Sequence, residues 1–242
     1  MSARPWYLTR MGFRSTVGHS DYLAREFTAR IDSAKVRRIF ELGARDGHDS
    51  VRLRDHFHAD VTAFECNPEA VRMCRRNLRW RRRIRLVEAA VWDEDTEITF
   101  YPVTASRWAD GREITDGRGN PVTNIGASSC FRARDDYLQR YDQTRVRVPA
   151  IRLDTYCREQ GIGSIDLICM DVQGAGMQAL RGLGERISTV RYIIAELEHR
   201  EVYHGQSLYQ PVHEYLIRHG FRQRAHVPRD DWFGDFLYVN ET

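Results

Sequence analysis

The sequence predicts an α/β fold: a mostly parallel, doubly wound sheet with a C-terminal antiparallel hairpin and an inserted β/loop region. Three observations predict it. Strand-length apolar runs alternate with helix-period segments from residue 36 onward, the order that a parallel sheet requires. A glycine turn follows the first of these runs, and two short strand patterns close the chain. At 242 residues and 42% hydrophobic content, the chain is long enough for one large domain and can bury its core.

Residues 1–35 are polar and aromatic with weak periodicity, and are set apart as an N-terminal lid or cap segment in which Asp21–Ile31 has helical character. The main domain then runs over 36–242. Val36–Leu42 is a buried strand ending in the glycine turn, and His48–Phe57 is a helix. Val61–Glu65 is a second strand. Pro68–Arg79 is a helix with proline in its first turn, where a missing N–H leaves no bond unmade. Ile84–Ala90 is the third strand. An insert over about 97–150 interrupts the pattern. Within it, Glu97–Val103 and Arg145–Leu153 have strand character, the latter with Val146, Val148 and Ile151 alternating. The Gly/Asn/Asp/Thr-rich stretch between them is a loop of the length that usually carries function. Alternation resumes with helix Asp154–Gln160, strand Ile165–Asp171, helix Met177–Ile187 and strand Tyr192–Leu197. A helix at Tyr209–His219 precedes the hairpin of Phe221–Val227 and Phe236–Val239.

Composition narrows the function classes. Apolar runs such as Leu167–Met170 fall far short of the roughly 20 residues of a membrane span. The N-terminal charges have no apolar segment behind them, so no secretory signal is expected. Five scattered cysteines without a CxxC argue against a disulfide framework or structural zinc and point to a reducing, cytoplasmic setting. The net charge of +3 indicates no partner. Lys35 is the only lysine among 37 basic residues, which excludes chemistry that needs several lysines.

The turn Glu41-Leu42-Gly43-Ala44-Arg45-Asp46-Gly47 ends the first strand and opens the first helix. Gly43 permits the tight turn and Gly47 a close approach of ligand to backbone. A dinucleotide turn would carry a middle glycine and face a pyrophosphate. Here that glycine is absent, and Glu41 and Asp46 would repel phosphate. S-adenosylmethionine carries an ammonium and a sulfonium, which carboxylates favour. Glu65 ends the second strand, 24 residues after Glu41, where an acidic side chain bonds ribose hydroxyls in Rossmann-type sites. Cys66 follows it. Glu88 and Ala89, at the end of the third strand, lie where an adenine would rest.

These segments, in this order, resemble the FkbM family of S-adenosylmethionine-dependent methyltransferases from about Arg38 to Val239. The resemblance rests on Glu41-Leu42-Gly43-Ala44, Ala63-Phe64-Glu65-x-Asn67-Pro68, Ala89-Ala90-Val91 and Ile151-x-Leu153-Asp154. It is strongest in Ile165-Asp166-Leu167-Ile168-Cys169-Met170-Asp171-Val172-Gln173-Gly174-Ala175, then in Ala179-Leu180-x-Gly182 and Ile193-Ile194-Ala195-Glu196. It implies a class I methyltransferase Rossmann-like sheet and methylation of a hydroxyl on a sugar, glycan or natural product. It also implies a cofactor or substrate contact at Ser128-Ser129. One departure matters. The family pattern Asp-Val-Glu-Gly-Ala-Glu is here Asp171-Val172-Gln173-Gly174-Ala175-Gly176, without either glutamate. Gln173 and Gly176 are therefore expected to border an acceptor pocket that is larger and less acidic, suited to a bulkier or anionic acceptor.

Asp171 and Glu196 end consecutive strands and are expected to face the crevice together, as base and orienter or as ligands of a divalent cation, the latter not favoured. His199 and His204, in the polar stretch after Glu196, are candidate general bases, as is His19. The run Arg79–Arg85 reads as the solvated end of a helix, where cations complement the dipole. Two alternatives stand beside the small-molecule or glycan methyltransferase. A nucleic-acid methyltransferase would commonly carry Asn/Asp-Pro-Pro-Tyr/Phe after the fourth strand, which this chain lacks. A non-catalytic cofactor-binding module would account for the missing glutamates. Oligomeric state has no sequence signal.

Overall fold

A computed structural model describes residues 20–116 and 119–241. The main sheet contains β1 (Arg38–Leu42), β2 (Asp60–Phe64), β3 (Ile84–Val87), β9 (Leu167–Met170), β10 (Tyr192–Glu198), β11 (Phe221–Pro228) and β12 (Phe233–Asn240), in the order β11-β12-β10-β9-β1-β2-β3. The five strands from β10 to β3 are parallel, and β12 runs antiparallel to both β10 and β11. This is the doubly wound sheet with a terminal hairpin that the sequence predicts. Helices α1 (Arg25–Thr28), α2 (His48–Phe57), α3 (Pro68–Leu78), α4 (Leu153–Glu159), α5 (Gly176–Arg181) and α6 (Tyr209–Arg218) flank it.

Strand periodicity divides the core into two layers. Phe40, Leu42, Ile168, Met170, Ile193 and Ala195 face Leu153, Leu180, Val212 and Leu216 from α4, α5 and α6. Ile39, Val61, Leu167, Cys169 and Ile194 face Tyr22, Phe27, Leu53 and Phe57 on the other side. Each such buried side chain contributes roughly 1.5–3 kcal/mol of burial free energy. Tyr22, Phe27 and Ile31, from the segment expected as a cap, are buried in this second layer. All five cysteines are free. Among the described residues, no helix is long and apolar enough to cross a membrane.

Several expected elements are shorter or divided. The helix expected over Asp21–Ile31 is limited to α1. The third strand splits: β3 ends where β2 ends, and β4 (Ala90–Val91) leaves the main sheet to pair with β8 (Val146–Ile151). The strand expected over Glu97–Val103 breaks at Tyr101-Pro102 into β5 (Thr96–Phe100), which pairs with β8, and β6 (Val103–Trp108). The loop expected after it contains a two-stranded ribbon of β6 with β7 (Gln139–Gln143). Helix α5 ends at Arg181 with Gly182 as its cap, where any Cβ would lie 2.2 Å from the Trp92 carbonyl oxygen; a separate 3-10 turn, Gly184–Thr189, follows.

The register sets the site. Leu42, Met170, Ala195 and Phe236 align across β1, β9, β10 and β12. One residue further on, Gly43, Asp171, Glu196 and Asp235 form a row along the edge where the parallel strands end. Gly43 has φ +86°, and a Cβ on it would stand 2.0 Å from the Asp171 carbonyl oxygen. Gly43→Ala is therefore expected to destabilise the fold by roughly 2–4 kcal/mol through strain and the forced separation of β1 from β9. Urea unfolding checks this; an unchanged midpoint would show that the turn has another conformation.

Candidate active site

Two cavities meet at this edge. The first lies over the turn after β1. Gly43, Ala44 and Arg45 form its floor, Glu65, Cys66 and Asn67 one side, and Ala89, Ala90 and Val91 an apolar wall. The insert covers it with Gly126, Ser128 and Cys130. Glu65 is buried, and its carboxylate accepts backbone N–H bonds from Arg45 (2.7 Å), Cys66 (2.9 Å) and Asn67 (2.8 Å). Burial pushes its pKa up to about 7, although those three N–H donors favour the charge. Asn67 caps α3 by accepting from the Glu69 N–H (3.1 Å) and donates to the Ser128 hydroxyl (3.1 Å).

The second cavity opens from the first and shares Arg45, Gly126, Asp171 and Gln173 with it. Asp171, Glu196 and Glu198 supply carboxylates, and Trp108, Tyr137, Tyr141, Trp232 and Phe233 supply aromatic walls. Tyr137 meets Trp232 edge-on, with ring centres 5.5 Å apart. The Gln173 amide nitrogen donates to Asp171 Oδ1 (2.6 Å) and Glu196 Oε1 (3.1 Å), while its oxygen accepts from the Tyr203 hydroxyl (2.7 Å).

Burial raises the pKa of Asp171, Glu196, Glu198 and Asp235. Glu198 is pushed to about 8, with Asp171 adding to the effect. Asp235, fully buried at the β12 end of the row, rises to about 7 against the pull of Arg229. Glu196 is raised well above the ordinary range by burial and by the charges of Asp171, Asp235 and Glu198. Asp171 is also raised by burial, but the Gln173 amide, Arg45 and Arg229 oppose the shift. Of this pair, the upward push is the stronger on Glu196, where burial and three neighbouring carboxylates act together.

The family model for the Methyltransferase FkbM domain matches residues 41–223, a span that begins at Glu41 and includes every strand lining both cavities except β12. The chain belongs to the FkbM methyltransferase family. The 2-O-methyltransferase NoeI of Sinorhizobium fredii is 34% identical over 173 residues, 69% of this chain. The chain spans 66% of the length of that relative. Among solved structures it is similar to a fibrillarin pre-rRNA processing protein from Methanococcus jannaschii, with TM-score 0.49, 13% identity, and coverage of 87% of this chain and 69% of that one. It is likewise similar to Aeropyrum pernix fibrillarin in complex with S-adenosyl-L-methionine, with TM-score 0.49, 14% identity, and coverage of 86% and 69%.

The first cavity of this FkbM domain fits S-adenosylmethionine. Among the described residues, Asp49, Glu65 and Asp171 line it with carboxylates against one cation, Arg45, which suits a positively charged ligand and not a pyrophosphate. Among the described residues, no group of three or more His, Cys, Asp or Glu side chains is placed to hold one.

Of the residues expected to contact the cofactor, Gly43, Ala44, Glu65, Cys66, Ala89, Ser128 and Asp171 line the first cavity. Glu41, Gly47 and Glu88 do not. Glu41 is buried beneath the turn, where its carboxylate accepts from the Ser50 hydroxyl, and burial with the neighbouring Asp49 charge raises its pKa. Gly47 caps α2, and a Cβ on it would press on Leu78 at 2.9 Å. Glu88 points outward and pairs with Arg75 at 2.5 Å, because the chain turns away from the sheet after β3. Ser129 supports the site indirectly by donating to the Gln173 carbonyl (2.6 Å).

His199 is not at the crevice. Strand β10 continues through Glu198, so alternation sends Glu196 and Glu198 to the cleft and His199 to the opposite side, exposed beside Tyr209 at 4.7 Å. His204 is exposed, and His19 lies outside the described residues. Gln173 borders both cavities as expected, but Gly176 faces the core, where a Cβ would approach the Met170 methyl at 3.3 Å. Asp171, Glu196 and Glu198 line the second cavity together with Arg45 and Arg229. Glu198, Tyr203 and the aromatic walls went unforeseen; for Glu198, the two-residue spacing from Glu196 on a strand was the available signal.

The raised carboxyls set a pH dependence. Glu65, Glu198 and Asp235 titrate near 7–8 in the native chain, against about 4 unfolded. The native state therefore holds more protons in that window, and stability is expected to fall as pH rises through it, with each such group contributing up to about 1.4 kcal/mol per pH unit. Thermal midpoints of the ligand-free protein measured from about pH 5 to pH 8.5 should decline; a rise would contradict the assignment.

Proposed function

We propose that the protein transfers the methyl group of S-adenosylmethionine to a hydroxyl of a sugar, glycan or sugar-bearing natural product held in the second cavity. The observation that carries this is the junction of the two cavities at Asp171 and Gln173, with carboxylates at the junction and aromatic walls beyond it. Aromatic faces suit the C–H faces of a sugar ring, and carboxylates accept its hydroxyls. The relative's designation as a 2-O-methyltransferase supports the same reading. The carboxylates disfavour a phosphate backbone, and with it a nucleic-acid acceptor.

The bound cofactor supplies an electrophilic methyl on a sulfonium. That methyl would pass to the acceptor oxygen, and Asp171, at the junction of the two cavities, would take the hydroxyl proton. Glu196, the more readily protonated of the pair, would orient the acceptor hydroxyl. Glu65 holds the ribose hydroxyls in the first cavity.

Glu65→Ala is expected to weaken S-adenosylmethionine binding by roughly 1–3 kcal/mol, measured by calorimetry on the folded variant. An unchanged affinity would remove Glu65 from the site. The acceptor itself is sought by comparing glycans and metabolites from cells with and without the gene, for a species one methylene lighter in the deletion. On that acceptor, Asp171→Asn should lower turnover by about 10²–10⁴-fold, the range for a lost general base. Full turnover would refute the proton route, and a deletion strain with no undermethylated species would count against the acceptor class.

A further inference from the structure

Two carboxyl groups side by side in a partly buried site need a shared proton, a cation or donors between them. Here the space between Asp171 and Glu196 is taken by one side chain. Gln173 sits at φ +46°, in the left-handed region, and its carbonyl is anchored by the Ser129 hydroxyl. The amide nitrogen is turned toward the acids and the amide oxygen toward the buried Tyr203 hydroxyl at 2.7 Å, which also lies 2.9 Å from the Ala127 carbonyl oxygen. The reverse orientation would set a carbonyl oxygen against both carboxyls and leave its N–H groups facing a hydroxyl.

The surroundings supply only part of the positive charge. Arg45 from the first turn and Arg229 from the hairpin face the pair, but Arg229 is also ion-paired with Asp21. Asp49 on α2, Glu198 on β10 and Asp235 on β12 add negative charge, and Tyr22 and Tyr203 face it with neutral hydroxyls.

We propose that Gln173 is a positioning residue that occupies the place of a divalent cation: its amide donates to Asp171 and Glu196 together, so the pair holds its geometry, and Asp171 its charge, without bound metal. This rests on the methyl-transfer reading for the role of Asp171, but the amide bridge can be tested apart from it. Gln173→Glu converts the bridge into a third carboxyl and should create the cation site that the amide now fills. Gln173→Met keeps the length and removes both donors.

The experiment uses the full chain, with Mn²⁺ alone as the probe, followed by electron paramagnetic resonance at pH 8. The wild type should take up no Mn²⁺ that depends on Asp171. Gln173→Glu should take up one per chain, and Gln173→Glu combined with Asp171→Asn none. Thermal midpoints between pH 5.5 and pH 8 should fall more steeply for Gln173→Met than for the wild type, because losing the donors raises the native carboxyl pKa values further. For Gln173→Glu the midpoint at pH 8 should recover when Mn²⁺ is added. Asp171-dependent Mn²⁺ uptake by the wild type overturns the proposal. So does a folded Gln173→Glu that binds none, or a Gln173→Met pH curve parallel to the wild type. Calorimetry with S-adenosylhomocysteine on each variant reports an intact first cavity. Failure of the wild type to bind it would refute the methyl-transfer reading, while the Mn²⁺ and pH results would still decide the bridge.

Discussion

Where β1 and β9 end, the backbone of Gly43 touches the carbonyl of Asp171, and the site depends on that contact. It fixes the turn that forms the floor of the first cavity, and it places the first carboxylate of the second. Parallel register then carries the row onward to Glu196 and, through the antiparallel hairpin, to Asp235. No side chain is needed to bring the two ligand sites together; hydrogen-bonded strands of matched length do it. Glycine is required because any side chain at this point would force the two central strands apart.

The row has an energetic consequence. Carboxyl groups at the sheet edge extend a layer that is otherwise Leu167, Cys169, Ile194 and Leu237, so charge sits directly on an apolar core. The chain tolerates this through raised pKa values, through Arg229 and through the Gln173 amide. A site of this kind is maintained by the burial free energy of the layers beneath it and adds little stability of its own.

Much of this was legible in the sequence, and the limits have physical reasons. The turn from Glu41 to Gly47, the acid at Glu65 and the small residues Ala89-Ala90 are local patterns on regular elements, and strand alternation was enough to place them. The pair Asp171 and Glu196 followed from the rule that parallel strands open their sites at one edge. His199 and Glu88 were misplaced because a single residue of strand length, or a turn away from the sheet, decides which side a residue faces. Gly176 was misplaced because the first turn of a short helix can face the core as readily as the cleft. The aromatic walls come from an irregular insert whose residues meet β10 and β12 only through tertiary contact, which no periodicity announces. Tyr137 against Trp232 is such a pair.

That insert has a thermodynamic consequence. It covers the first cavity with Gly126, Ser128 and Cys130 and walls the second with Trp108, Tyr137 and Tyr141, and it is tied to the segment after β10 by the bridge of Ala133 with Tyr203. One piece of chain therefore lines both cavities, and under the proposed function would touch both ligands. Any free energy with which the first ligand orders that piece is, by reciprocity, returned to the second, so the two affinities are coupled even where the two molecules do not touch.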